Sequence, residues 1–308
     1  MGSPYHHGER AVQERAGLAD QALFSEGARR REIPEVAADF LAERTWLVVG
    51  ALDASEDPWC SLLTGPSGFL DAPGPRTLDV ASRPAADDPL ADALGRDGTR
   101  VGALAIDPAT RRRMRINGVS RPHGNGLRVT TDQVYANCPK YIQKRDPAPA
   151  GSGPPVASRA GTRLTGDQRD LVRRADTFFV ATADATGDAD ANHRGGAPGF
   201  VRVHSSTVLS WPDYVGNAMF NTLGNLWVRP RAGLLFPDWG TGAVLRLSGA
   251  ARIVWDGDPE GTGRTIEFTV ERVVATDAAG LLAPDPPDPS RFNPPVPLHE
   301  PRTEEVHP

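Results

Sequence analysis

The chain has little cysteine and no long apolar run. Cys60 and Cys138 are its two cysteines among 308 residues. They form neither a C-x-x-C pair nor a disulfide framework, which excludes a stapled scaffold and argues against structural zinc. No apolar stretch approaches the roughly 20 residues that cross a bilayer, and the opening MGSPYHHGERAVQERAGL lacks the apolar centre of a secretory signal. These absences predict a soluble, cytoplasmic protein without a membrane partner. A net charge of -5 gives no global attraction to polyanions. The basic streaks RRRMR and RPHGNGLR lack interleaved aromatics, so no nucleic-acid partner is expected. No G-x-G-x-x-G occurs, which removes the usual nicotinamide fingerprint. HHGE near the start has metal-ligand residue types without the i, i+4 spacing, and reads as a helix entry; no metal site is expected.

What is present is a duplication. A shift of 131 residues lays VGALDASED (from Val49) on VATADATGD (from Val180), and the same register carries Gly65 onto Gly196, Gly68 onto Gly199, Phe69 onto Phe200, Gly102 onto Gly233, Arg115 onto Arg246 and Gly118 onto Gly249. After Gly118 the register slips by about eight residues, because copy two contains the turn-rich WDGDPEGTG. Each copy opens with a helix-period segment, the second with Thr165 and Gln168 in capping-box spacing, followed by short strand signals punctuated by Gly, Pro and Asp. Such a pattern predicts a mainly β fold with flanking helices: two tandem small antiparallel barrels packed as an intrachain pseudo-dimer. The expected boundaries are a helical extension over 1–34, a first barrel over 35–145, a Pro/Gly-rich linker over 146–163, a second barrel over 164–280 and a Pro-rich tail over 281–308 without a fold of its own.

FFVATADATGDADANHRGGAPGFVRV, LSWPDYVGNAMFNTLGNL and RAGLLFPDWGTGAVLRLSGAARIV, in that order after a helix, resemble the flavin-binding split-barrel family related to pyridoxamine 5'-phosphate oxidase. RRRMRINGVS with QVYANCPKYIQKR, and the opening YHHGERAVQERAG, resemble its two-barrel branch. The resemblance implies FMN bound at the interface of two barrels, with its phosphate on basic and polar side chains; some relatives use a deazaflavin or haem instead. It implies an FMN-dependent oxidoreductase acting on a small molecule, with electrons from a diffusing donor, a partner reductase or the substrate. Pyridoxamine 5'-phosphate is not the favoured substrate, since RFNPPVPLHEPRTEEVHP does not match the family's basic carboxy-terminal motif. A non-catalytic flavin- or haem-binding protein and a deazaflavin-dependent reductase are the alternatives. The chain is expected as a monomer, being its own pseudo-dimer, or as a homodimer.

The resemblance turns attention to HRGGAPGF, from His193. Arg194 and Arg202 are candidate phosphate anchors, with the backbone N–H groups of Gly195 and Gly196; a glycine bend beside solvated cations is the alternative. Trp211, Asn217 and Asn221 lie where the family contacts the flavin, and Asn217, Asn221 and Asn225 recur at a spacing that would line one helical face. Copy one has Leu62 and Leu63 in place of His193 and Arg194, whereas only copy one has NCPKYIQKR, read either as a Pro-initiated helix or as a segment leaning into a cleft. One composite cofactor site per chain is therefore expected, with His193, Arg194 and Asn217 facing Asn137, Lys140 and Tyr141. His193, Lys140 and Tyr141 are the candidate catalytic residues, His193 as acid/base or hydrogen-bonding group. Arg111 to Arg115 read as a strand with a solvated basic face or as a second anion site. Cys138 reads as a structural thiol.

Overall fold

The computed structural model describes residues 5–150, 158–255, 262–277 and 280–296. Residues 151–157 of the expected linker, most of the WDGDPEGTG insertion and the end of the tail lie outside these. Two short helices come first, α1 (His7–Arg15) and α2 (Ala19–Glu26). His6 caps α1 reciprocally with Glu9, so the HHGE segment is a helix entry.

The first barrel consists of α3 (Glu35–Ala42), β1 (Trp46–Leu52), β2 (Pro58–Thr64), β3 (Leu70–Gly74), β4 (Thr77–Val80), α4 (Ala91–Leu94), β5 (Thr99–Asp107), β6 (Arg112–His123) and β7 (Gly126–Ala136). Two short strands, β8 (Ala148–Pro149) and β9 (Arg159–Gly161), lead into the second barrel. That barrel repeats the series: α5 (Gly166–Arg174), β10 (Thr177–Ala183), β11 (Ala189–Gly195), β12 (Arg202–Val203), β13 (Val208–Pro212), α6 (Asn221–Val228), β14 (Arg231–Pro237), β15 (Val244–Trp255) and β16 (Arg264–Thr276). A last short strand, β17 (Leu281–Leu282), pairs with β8.

Both sheets are antiparallel with the same order, β2-β1-β5-β6-β7-β4-β3 and β11-β10-β14-β15-β16-β13-β12. Even their irregularities correspond, with the ladder shifting at Asn117/Gly118 and at Ser248/Gly249. At each of these bulges a side chain on the glycine would collide with a carbonyl across the ladder, Thr130 O or Thr269 O.

WLVVGAL in β1 is a continuous apolar run rather than an alternation because both of its faces are buried. Leu47 and Val49 point into the first barrel's core, whereas Trp46 and Val48 join Cys60, Leu62, Leu104 and Ile106 against Phe179, Ala191, Leu235 and Val244 of the second barrel. The pseudo-dimer thus has a core in each barrel and a third between them.

Backbone meets backbone at that third core. A Cβ on Gly102 would lie 2.4 Å from Asp190 Cα, and one on its counterpart Gly233 would lie 2.5 Å from Trp59 Cα. Since Trp59 and Asp190 are themselves counterparts at the 131-residue offset, these contacts are one contact seen from both sides of a pseudo-two-fold axis. Gly102→Ala is expected to cost about 1–3 kcal/mol by overpacking, read from the midpoint of chemical denaturation. Gly27→Ala, where no atom lies within 4 Å, serves as a near-neutral control.

Candidate functional site

β6 alternates basic and apolar side chains, and its basic outer face would be solvated on an isolated barrel. Here the second barrel covers it. Arg115 is 2% exposed and pairs with Asp190 of β11, and its Nη1 donates to Asn221 Oδ1 at 3.1 Å. Arg113 donates from Nη2 to the Cys138 carbonyl at 2.7 Å, and its Nη1 lies 3.3 Å from His193 Nδ1. The solvated-face reading of Arg111 to Arg115 is therefore wrong for Arg113 and Arg115, because docking of the barrels removes the solvent. Arg112 stays exposed, and Arg111 holds the Ile142 carbonyl and Asp288.

These groups line a cavity of about 340 Å³ between the barrels. From barrel one and the segment after it come Arg113, Asn137, Cys138, Lys140 and Tyr141; from barrel two come His193, Arg194, Asn217, Phe220 and Asn221. His193, Arg194 and Asn217 thus share one cavity with Asn137, Lys140 and Tyr141, and Leu18 and Gln21 at the start of α2 add a wall.

Several expected contributors sit elsewhere. Arg202 is exposed on the edge strand β12, away from the cavity. Trp211 packs edge-on against Phe178 in the core of barrel two. The N–H of Gly196 already donates to the Asp176 carbonyl at 3.1 Å, so it is not an anion donor. Gly195 gives the Tyr141 carbonyl room to approach, since a Cβ there would lie 2.0 Å from its oxygen. NCPKYIQKR forms no helix: a turn at Lys140 and Tyr141 leads to an extended run, and Tyr141 has φ 65°. Asn217 precedes α6, which starts at Asn221, so the asparagines do not form one helical ladder. Asn225 instead bonds Thr182 and His6.

The electrostatics are one-sided. Among the described residues no carboxylate lies within ion-pairing distance of Arg113, Arg194 or Lys140, and the cavity's Asp213 is paired with Arg264 at 2.9 Å. Burial, then Arg194 and Arg115, pulls the Arg113 guanidinium down to about 9. Burial also lowers Arg194, with the Asp213 carboxylate acting in the opposite direction. His193, 4% exposed, is held well below its ordinary range by burial and by Arg113 and Arg194. It is neutral at physiological pH, and because Arg113 can only donate, Nδ1 accepts and the proton sits on Nε2. Three buried polar atoms along this wall, Arg113 Nε, Arg194 Nε and Asn137 Oδ1, have no hydrogen-bond partner.

Tyr141 is committed structurally. Its hydroxyl donates to the Val215 carbonyl at 2.9 Å, its ring lies 5.0 Å from that of Tyr214, and burial raises its pKa. Lys140 is half-buried with Nζ 5.6 Å from the Phe292 ring. Backbone strain also gathers here, with positive φ at Tyr141, Ala218 (59°) and Phe220 (56°), all lining the cavity.

Residues 164–277 match the family model described as pyridoxamine 5'-phosphate oxidase. The second barrel is thus similar to the pyridoxamine 5'-phosphate oxidase family, and the match does not extend to the first barrel. No curated protein matches it. Similar solved structures include HupZ of Group A Streptococcus, 19% identical over 38% of this chain and 97% of that one, with a TM-score of 0.30. HutZ, the haem storage protein of Vibrio cholerae, is 13% identical over 38% and 97%, at 0.30. A Clostridium acetobutylicum protein related to general stress protein 26, of the pyridoxinephosphate oxidase family, is 17% identical over 38% and 89%, at 0.30. Likenesses this remote carry no functional argument. No helix among the described residues is long and apolar enough to cross a membrane.

The absence of a counter-charge has a measurable signature. Arg113→Met is expected to change the stability of the ligand-free protein little, because relief of a half-buried cation without a carboxylate partner offsets the loss of its hydrogen bonds to the Cys138 carbonyl and His193 Nδ1. The same variant should lose the rise in Tm that inorganic phosphate gives the parent. Titration of His193 supplies a second signature. Its ordinary pKa is 6.5 and its folded value is lower, so above 6.5 neither state takes the proton, whereas below it only the unfolded chain does. Stability is therefore lost as pH falls from 6.5 toward the folded value, by up to about 1.4 kcal/mol per pH unit. In His193→Gln this contribution to the slope of unfolding free energy against pH should vanish.

Proposed function

We propose that the chain is an FMN-dependent oxidoreductase with one cofactor site, in the cavity between its barrels, acting on a small molecule. The observation that carries this reading is the pair of half-buried guanidinium groups, Arg113 and Arg194, with no carboxylate in ion-pairing distance among the described residues. A flavin phosphate brings close to two negative charges to them and acceptors for their orphaned Nε atoms.

On this reading Arg113, Arg194 and the Nε2–H of His193 hold the phosphate end, and Asn137, Asn217 and Asn221 supply polar contacts along the cavity. When bound, the isoalloxazine would supply the electron transfer, and the protein contributes position and electrostatics. His193 acts by donating a hydrogen bond rather than by relaying a proton, because its basic nitrogen faces Arg113 and burial keeps it neutral. Tyr141 closes one wall, and Lys140 at the rim is the remaining cation for an anionic substrate. The Arg115–Asp190 pair is already neutral and positions Asn221.

The same chemistry ranks the alternatives. Haem would be less well served, because with Nδ1 of His193 accepting from Arg113 the ring proton occupies Nε2, the nitrogen that would have to bind iron. A deazaflavin that carries a phosphate would satisfy the cradle as well as FMN does, and a non-catalytic carrier would use it in the same way.

Titration with FMN and with a phosphorylated deazaflavin, followed by flavin fluorescence, separates the first two readings. Bleaching of the bound chromophore by reductant and its return in air separates the oxidoreductase from a silent carrier. Arg194→Gln should weaken FMN by about 10- to 100-fold, the value of one lost charge-assisted hydrogen bond of about 1.5–3 kcal/mol. Unchanged affinity in this variant sinks the assignment.

A further inference from the structure

The Pro-rich segment after Gly280 is not a loose end among the described residues. β17 pairs with β8, and Lys144 exchanges two backbone hydrogen bonds of 2.9 Å with Asp288. Arg111 Nη2 donates to the carbonyl and the carboxylate of Asp288, at 2.9 and 3.1 Å. Val296 packs on the core of barrel two.

Between these fixings lies Gln143, 3% exposed. Its Oε1 accepts from the Ser290 N–H at 2.8 Å and from Asn293 Nδ2 at 2.9 Å. Its Nε2 donates to Asn293 Oδ1 at 3.2 Å, to the Gly196 carbonyl at 3.3 Å and to the Tyr141 carbonyl at 3.1 Å. One amide thereby ties together the tail, the strand that carries His193 and Arg194, and the strained turn that carries Lys140 and Tyr141. The tail also meets the cavity rim directly, where Lys140 Nζ faces the Phe292 ring.

We propose that residues 281–296 are a positioning element of the cavity, acting through Gln143 to hold residues 138–141 against β11. The turn needs such a clamp. Tyr141 sits in a left-handed conformation unfavourable to a side chain, without helix or ladder bonds among the described residues, and Gln143 holds its carbonyl while Val215 holds its hydroxyl and Arg113 the Cys138 carbonyl. The proposal rests on reading the cavity as the ligand site, but its first test uses no ligand.

Cys138 lies in the clamped segment, just before the turn, and is partly exposed, whereas the other thiol, Cys60, is fully buried and burial pushes its pKa up. Iodoacetamide therefore reads the order of this turn in the full-length, ligand-free chain. Asn293→Ala and Gln143→Ala should each speed alkylation of Cys138, by about tenfold for Gln143→Ala, since local opening sets access to a protected group. Tm should barely change in Asn293→Ala, and Arg159→Ala, which removes an exposed ion pair with Asp277 elsewhere, should leave alkylation unaltered. The FMN dissociation constant should rise in parallel by about tenfold.

An alkylation rate equal to the parent's in both variants overturns the proposal. So does faster alkylation with FMN affinity intact, because the turn would then be clamped without serving the site. Failure of the unsubstituted chain to bind FMN sinks the flavin reading instead, and leaves the alkylation comparison to decide this one.

Discussion

Close approach of two backbones, with Gly102 against Asp190 and Gly233 against Trp59, is the constraint on which the rest of the molecule depends. It lets the outer faces of the central strands become an interior. Leucines and valines that would be solvated on a single barrel form a third core. The basic face of β6 is drawn in with them. A cation moved from water into a protein interior has to be paired or made neutral, or it must wait for a counter-charge. Arg115 finds Asp190, whereas Arg113 and Arg194 have no carboxylate partner among the described residues.

The pseudo-symmetry allows the same place to be examined twice. Counterparts of Arg113, His193 and Arg194 at the 131-residue offset are Val244, Leu62 and Leu63. Val244 and Leu62 pack into the apolar core between the barrels, and Leu63 packs into the core of barrel one. Arg246, the counterpart of Arg115, pairs at 3.1 Å with Asp88, which also accepts from Ser61. Arg115 and Arg246 have thus each acquired an acid from the opposite barrel, by different residues. Only one of the two quasi-equivalent places keeps cations without acids.

Much of this was legible from the chain. A constant offset reveals the duplication, and continuous apolar runs such as WLVVGAL reveal strands buried on both faces. Loss of His193 and Arg194 in copy one identifies the asymmetric end. Other features were not legible, for physical reasons. Alternation in RRRMR tells which side chains share a face, but not what covers that face, so Arg113 was missed as a site residue. Its signal was present in the register: a pseudo-dimer that buries the β1 outer face also buries that of β6, two strands away. Pro139 suggested a helix in NCPKYIQKR, yet tertiary bonds from Gln143 hold Tyr141 at a φ that no helix contains. Trp211 and Arg202 are neighbours in sequence of cavity residues, but strand alternation sends the first into the core, and the second lies on an exposed edge strand.

The cavity's unfavourable features argue that it is not an accident of packing. Two unpaired guanidinium groups, orphaned polar atoms and three side-chain-bearing residues at positive φ each cost stability in the ligand-free chain. Cheaper solutions were sterically available on this scaffold, because the quasi-equivalent place is closed with Leu62, Leu63 and Val244 and has its one arginine neutralised. A fold that can fill the site with aliphatic side chains, and does so on one side, retains cations on the other only where something offsets their cost. An anion bound there does so, because binding to the native state alone stabilises it in proportion to the logarithm of ligand excess. On the proposed reading, the stability cost of these cations and the binding of an anion by them are two aspects of one arrangement.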